Sequence, residues 1–288
     1  MIEKFLNKAA GSLQPALYVV ATPIGNLADI TLRALAVLGR ADLVCAEDTR
    51  VTAQLLAAYG IQAKLMSVRE HNERQMADKV VAALSDGLIV AQVSDAGTPA
   101  VCDPGARLAA RVRGAGFNVV PVVGASAVMA ALSGAGVSES DFYFNGFLPP
   151  KSGERRKLFE RWSEADYPVV MFETPHRIGA ALVDMAAVFP QRRLTLAREL
   201  TKTFETFLCG TVSDIQTALA DDGNQARGEM VLILHPAVRE KNAGLSEEAL
   251  RVMKILSAQL PTKQAAALAA EICGENKKSL YDAALAWK

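Results

Sequence analysis

Residues 88–105 read LIVAQVSDAGTPAVCDPG, an apolar run that breaks at Ser94 into a turn dense in polar, glycine and proline residues. The continuous apolar character of Leu88–Val93 suits a strand buried on both faces, and SDAGTP ends it sharply. The same pattern occurs twice more. LYVVA at Leu17–Ala21 runs into TPIGNLAD at Thr22–Asp29, and NVVPV at Asn118–Val122 runs into GASA at Gly124–Ala127. Together with Asp42–Ala46, these runs are expected strands. Amphipathic stretches near Leu32–Leu38, Thr49–Tyr59, Arg74–Leu84 and Ala106–Gly114 lie between them, the alternation of a parallel sheet with crossover helices. Asp29 or Thr31 is placed to cap the first helix and Gly39 to end it.

After Gly136 the rhythm resets. Phe142–Phe147 reads as a strand that runs into Leu148, Pro149 and Pro150, and a second α/β unit follows. Its expected strands are Pro168–Phe172, Arg193–Arg198, Thr203–Cys209 and Met230–His235, with the middle two so close in sequence that they should be antiparallel. Helices are expected near Glu154–Trp162, Ile178–Phe189 and Val212–Ala220. Beyond Pro236 come three short helical stretches near Ser246–Leu256, Thr262–Ile272 and Lys277–Trp287, started by Ser246 and interrupted at Gly274. The fold class is therefore α/β, in three parts: an N-terminal α/β domain over 1–136, a second over 137–236 and a small helical appendage over 237–288.

Composition narrows the options. A chain of 288 residues that is 51% hydrophobic can bury a full core, which excludes disorder. Cys45, Cys102, Cys209 and Cys273 form no CxxC pair, so neither a disulfide framework nor a zinc knuckle is indicated, and a reducing cytoplasm is the expected compartment. The N-terminal residues never form the apolar core of a signal peptide. No charge occurs between Gly114 and Ser138, yet Asn118, Pro121 and the glycines there suit a strand, a turn and a helix better than a membrane span. No membrane partner is expected. The histidines His71, His176 and His235 fall in separate segments without ligand spacing, so no metal is expected either. The 31 basic and 31 acidic residues balance, and any nucleic-acid contact must rest on local charge. The densest basic run is Lys151, Arg155, Arg156, Lys157 and Arg161, which on pattern alone is a solvated helix face.

In an open α/β sheet, ligands bind beyond the C-terminal strand ends, where helix N-termini and bare amides point. Three glycine turns there imply a sizeable polar ligand. None matches GxGxxG or GxxxxGK[ST], which sets aside the dinucleotide and P-loop readings. Ser126, in the turn Val123–Val128, resembles a hydrolase nucleophile elbow but lacks its final glycine, and the hydrolase reading needs a His–acid pair aimed at that serine.

The blocks LYVVATPIGNLADIT, AEDTR, REHNE, SDAGTPAVCDPG, GFLPPK, FETPHR, ARELTKTFET and GEMVLI, spread from Leu17 to His235, resemble the tetrapyrrole methylase-like methyltransferases that use S-adenosylmethionine. Where that family often reads GPSA, this chain has GASA. The resemblance implies two α/β domains facing a cofactor cleft, and a homodimer. It places Asp95, Gly97 and Thr98 against the methionine and ribose portions of the cofactor, and Gly124, Ala125 and Ser126 at the neighbouring strand end. Phe172, Leu200 and Gly228 would close over it from the second domain, Gly228 by letting the backbone approach the adenine.

AEDTR, FETPHR and RELTKTFE resemble the branch of the family that acts on RNA. That branch implies, as acceptor, the ribose 2′-hydroxyl of a cytidine in the decoding region of 16S ribosomal RNA, free or within the small ribosomal subunit. The alternative keeps the fold but methylates a tetrapyrrole or another small molecule. A ribose hydroxyl needs a proton acceptor, and the sequence offers Glu47, Asp48 and His71, with Arg50 beside the carboxylates. Given the resemblance, Lys151, Arg155, Arg156 and Lys157 become an expected phosphate rail, and His176, Arg177, Arg198 and Lys202 should add RNA contacts from the second domain. Docking on a ribosomal surface is the expected work of the terminal helices.

Overall fold

The computed structural model describes residues 2–237 and 245–287. Met1–Pro236 form one compact unit and Ala237–Lys288 another.

The larger unit holds two sheets. After α1 (Ile2–Gly11) the first lobe runs β1 (Leu17–Val20), α2 (Leu32–Leu38), β2 (Leu43–Ala46), α3 (Thr49–Ala58), β3 (Leu65–Ser67) and α4 (Glu73–Ser85). It continues through β4 (Val90–Val93), α5 (Ala106–Gly114), β5 (Val119–Val122) and α6 (Ala127–Gly134). The strands lie in the order β3-β2-β4-β1-β5, all parallel, so their C-terminal ends share one edge. Side chains alternate between two cores, as the strand period demands. Tyr18, Val20, Val44, Ala46, Ala91 and Val93 pack under α2 and α3 on one face, whereas Leu17, Cys45 and Val90 pack under α4 and α5 on the other. Thr31, not Asp29, caps α2 by accepting the Ala34 N–H at 3.1 Å. The uncharged stretch after Gly114 is β5, its turn and α6, and no helix among the described residues is long and apolar enough to cross a membrane.

The second lobe comprises β6 (Tyr143–Phe147), α7 (Ser152–Trp162), β7 (Val169–Glu173), α8 (Ile178–Ala186), β8 (Arg193–Arg198), β9 (Thr206–Thr211), α9 (Val212–Asp221) and β10 (Met230–Leu234). Its sheet order is β6-β7-β10-β8-β9; β8 and β9 pair antiparallel, as their spacing predicts. The strand expected from Thr203 begins only at Thr206. The connecting turn takes up the difference, with Glu199 and Thr201 at φ 51° and 68°. One face of this sheet packs with α7, α8 and α9 around Phe159, Met171, Leu182 and Leu232. The opposite face, through Val170, Ala197, Val231 and Ile233, packs on Val128 and Ala131 of α6, so the lobes share a core.

In the smaller unit, α10 (Glu247–Ser257), α11 (Thr262–Cys273) and α12 (Lys277–Leu285) enclose Met253, Leu280 and five buried alanines. Small side chains let these helix axes approach closely. Ser246 caps α10 through the Ala249 N–H at 3.2 Å, and Gly274, at φ 68°, ends α11.

Candidate functional site

Two cavities open at the C-terminal strand ends of the first lobe. The first, about 620 Å³, is lined from both lobes and is largely apolar: Ile24, Val128 and Met129 on one side, Phe144, Phe147, Phe172 and Leu200 on the other. The three phenylalanines form one cluster, with Phe172 5.1 Å from Phe144 and 5.5 Å from Phe147, centroid to centroid. Gly97, Thr98 and Ser126 supply polar edge, and Glu173 and Glu229 lie on the wall. The second cavity, about 650 Å³, is polar and belongs to the first lobe, with Glu47, Asp48, Arg69, His71, Asp95 and Arg107 in its lining. Cys102 and Asp103 line both.

The loops that build this edge are held by specific bonds. Thr22 and Gly97 exchange backbone hydrogen bonds of 2.9 and 3.0 Å, which ties the first glycine turn to the second. Thr98 donates to the Ala125 carbonyl at 3.1 Å, tying the second to the third. The Asp48 N–H donates to Asp95 Oδ1 at 3.0 Å, and buried Glu73, the last residue of REHNE, accepts the Gly105 and Leu108 N–H groups, each at 2.9 Å. Glu73 thereby caps α5 and fixes the end of CDPG. A Cβ on Gly105 would collide with the Gln92 side chain, so only glycine fits that turn, at φ 131°.

Of the residues the resemblance assigns to a cofactor, Gly97, Thr98, Ser126, Phe172 and Leu200 line the apolar cavity. Gly97 does so with its backbone groups already taken by Thr22. Asp95 opens on the polar cavity instead, and Gly124 and Ala125 line neither cavity, Gly124 lying exposed beside Ala21. Gly228 is absent from the wall. Its φ is +85°, and the space a Cβ would need is filled by the Glu199 carboxylate, so glycine at this position makes room for an ion cluster. Glu199 Oε1 accepts from Lys202 Nζ at 3.0 Å and from the Glu229 N–H at 2.8 Å.

The proton-transfer candidates separate clearly. Asp48 caps α3 and holds the Arg50 guanidinium with both carboxylate oxygens; these bonds keep its carboxyl well below the usual carboxylate range. An acid so committed is a weak base, and Arg50 lies outside the lining. Glu47 is shifted the other way, first by burial and then by the charges of Asp103 and Asp95, against Arg69. His71 is exposed on the rim of the polar cavity. Ser126 opens on a cavity with no histidine among its lining residues, and the hydrolase reading lapses.

The expected RNA rail needs two corrections. Arg155 is buried and pairs with buried Asp184 at 2.6 Å while donating to the carbonyls of Pro149 and Pro150. Arg198 is also buried, donating to the carbonyls of Phe204 and Arg227 to hold the turn after β8. Neither reaches solvent. Arg177 is bound to the Leu148 carbonyl and to Glu173, and Lys202 to Glu199 and Glu229, with its stem against Gly25 of the first lobe. Lys151, Arg156, Lys157 and His176 are exposed. Arg156 shares Asp184, and Lys151 pairs loosely with Glu154 at 3.3 Å. The sequence reading missed Asp103, Arg69 and Arg107. Asp103 lies in SDAGTPAVCDPG and Arg69 opens REHNE, two blocks that the sequence does mark, whereas nothing in it marks Arg107.

The family model of the tetrapyrrole (corrin/porphyrin) methylases matches residues 16–216. The chain belongs to that family. It is a methyltransferase, and residues 243–288 match the RsmI C-terminal HTH domain. Among curated relatives of this methylase, the ribosomal RNA small subunit methyltransferase I of Neisseria meningitidis serogroup B is 76% identical, over 100% of this chain and 99% of the relative. Its namesake in Escherichia coli O157:H7 is 46% identical, over 97% and 98% of the two chains. Among solved structures, the cobalamin biosynthetic enzyme cobalt precorrin-4 methyltransferase superposes with a TM-score of 0.57 at 17% identity, over 77% of this chain and 95% of that one. That likeness places the methylase in the fold.

Proposed function

We propose that this methylase transfers the methyl group of S-adenosylmethionine to the ribose 2′-hydroxyl of a cytidine in the decoding region of 16S ribosomal RNA, in the cytoplasm and as a homodimer. The observation that carries this reading is the union of two unlike cavities at one wall: an aromatic, apolar one lined from both lobes and a polar one edged by cations. The names of the relatives supply the substrate class.

The apolar cavity has the size range of cofactor sites, and its residues fit the donor. Phe144, Phe147 and Phe172 offer faces for an adenine and for a sulfonium cation, while Thr98 and Ser126 offer hydroxyls to the ribose and amino-acid ends. The donor supplies an already activated methyl group, so the protein's task is alignment, exclusion of water and acceptance of one proton. On the acceptor side, Arg69, His71 and Arg107 stand where phosphates flanking the target would pass, and exposed Lys151, Arg156, Lys157 and His176 extend the basic surface on the second lobe. The largely exposed Val123 (73%), Phe204 (70%) and Met129 (54%) are apolar surface that self-association would cover.

The test is mass spectrometry of ribosomal RNA from cells with and without this protein. One ribose methyl should vanish from a decoding-region cytidine in its absence. An unchanged pattern of ribose methylation removes the proposal.

A further inference from the structure

The polar and apolar cavities have only Cys102 and Asp103 in common among their lining residues. Asp103 is therefore the one carboxylate on the wall of both: Glu173 and Glu229 face the apolar side alone, Glu47 and Asp95 the polar side alone. Its loop is fixed on each flank. Cys102 before it takes a left-handed φ of 65°, and after it the Pro104 carbonyl accepts from Gln92 Nε2 at 3.2 Å while Glu73 holds the Gly105 N–H at 2.9 Å. Such a loop presents its carboxylate without rearrangement.

We infer that Asp103 is the catalytic proton acceptor for the hydroxyl that receives the methyl group, an inference that rests on the RNA-methylation reading above. The hydroxyl oxygen bonds to the methyl carbon, the carbon–sulfur bond breaks with its electron pair on sulfur, and the O–H proton passes to an Asp103 carboxylate oxygen. From there the open polar cavity returns it to solvent. Asp103 stands where this exchange must occur, because only at the shared wall do both reactants come within one side chain's reach. Asp48 is spent on Arg50, and Glu47 and His71 contact only the polar side.

The surroundings suit the role. Burial lifts the Asp103 carboxyl above its ordinary value and the charge of Asp95 lifts it further, against a hydrogen bond from Ser94. Glu47, Arg69, His71 and Arg107 face the same polar space, and Glu173 and Glu229 face it across the apolar cavity. A base works better as its affinity for the proton rises toward the working pH.

The experiment uses the full-length protein, labelled S-adenosylmethionine and small-subunit particles from cells lacking the protein. In D103N the single-turnover rate should fall on the order of 100-fold or more, the size of a lost general base. Donor affinity by calorimetry should stay within about threefold, as it would for a group reserved for the proton. The acid limb of the wild-type pH–rate profile should disappear with it. A second measurement needs no turnover. The wild type should bind a decoding-region oligonucleotide with a 2′-hydroxyl on the target cytidine on the order of tenfold more tightly than its 2′-deoxy counterpart, and D103A should erase that preference. Should D103N not fold, D103E keeps the carboxylate and should displace the limb; an unmoved limb overturns the assignment. A D103N rate within threefold of wild type, a collapse of donor affinity, an intact deoxy preference in D103A, or loss of the limb in E47Q instead would each overturn it. Wild-type protein that methylates no particle overturns the functional reading as well.

Discussion

Cys102 and Ala100 hold φ values of 65° and 67°, in a region that costs a residue with a side chain about 1–3 kcal/mol. The strain turns the loop after SDAGTP so that Cys102 Sγ lies against Gly146 of β6 and on the wall of both cavities. That placement predicts a labelling pattern. Iodoacetamide should modify exposed Cys102 and Cys209, and spare Cys45, whose thiol burial pushes up to about 12. Saturating S-adenosylmethionine should slow labelling of Cys102 at least severalfold and leave Cys209 unchanged, as read by peptide mass mapping. Equal rates at Cys102 with and without the donor would move the donor out of the apolar cavity. At this scale the sequence is an uneven guide. Glycine turns mark the strand-end edge in the sequence, whereas the assignment of Gly97, Thr98 and Ser126 to a cofactor is what the family resemblance implies. The contact that demands glycine at Gly228 was not legible, because only folding brings the Glu199 carboxylate to that backbone.

Helix α7 shows how an element can be located from its sequence while the work of its residues stays hidden. Its apolar period and first-turn Glu154 are plain in SGERRKLFERW, but charge pattern alone cannot tell Arg155 from Arg156. The buried partner Asp184, on α8, separates them: Arg155 turns inward and Arg156 remains half exposed. Burial by itself would raise the Asp184 carboxyl, and hydrogen bonds from Ser152, Arg156 and Arg155 outweigh it and hold the group below its ordinary value of 3.8. A depressed acid stabilises the fold above its unfolded value and loses that contribution as pH falls through the folded one. The lobe should therefore weaken below about pH 3.8 through this group. D184N should lower stability by roughly 3–5 kcal/mol at neutral pH, since it leaves Arg155 buried without its counter-charge, and should flatten that part of the acid dependence in denaturant titrations. An unfolding midpoint equal to wild type would show the pair to be dispensable. β3 escapes a reading from sequence because three residues are too few to show a period. The helix expected within the uncharged stretch is α6, whose bounds stayed open because a helix apolar on all sides has no polar stripe to mark its phase.

The whole molecule divides by its cores. Among the described residues, four clusters serve those up to Pro236, and a fifth, of Met253, Leu280 and alanines, belongs to the terminal helices alone. A chain ending at Pro236 should thus fold and bind S-adenosylmethionine with an affinity within about threefold of full length, as calorimetry would record; an insoluble or non-binding product would show that the terminal helices complete the larger unit. The α/β class and the alternation of strands and helices were open to reading from sequence, because a parallel sheet covered on both faces writes its pattern along the chain. The shared core of the two lobes was not, since it joins residues far apart in sequence such as Val128 and Val231. Where β6 hands the chain on to α7, the successive carbonyls of Leu148, Pro149 and Pro150 are gripped by Arg177 and Arg155. Two guanidinium groups thus splint the tail of the strand that carries Phe144 and Phe147, and that aromatic side of the gap is its unyielding one.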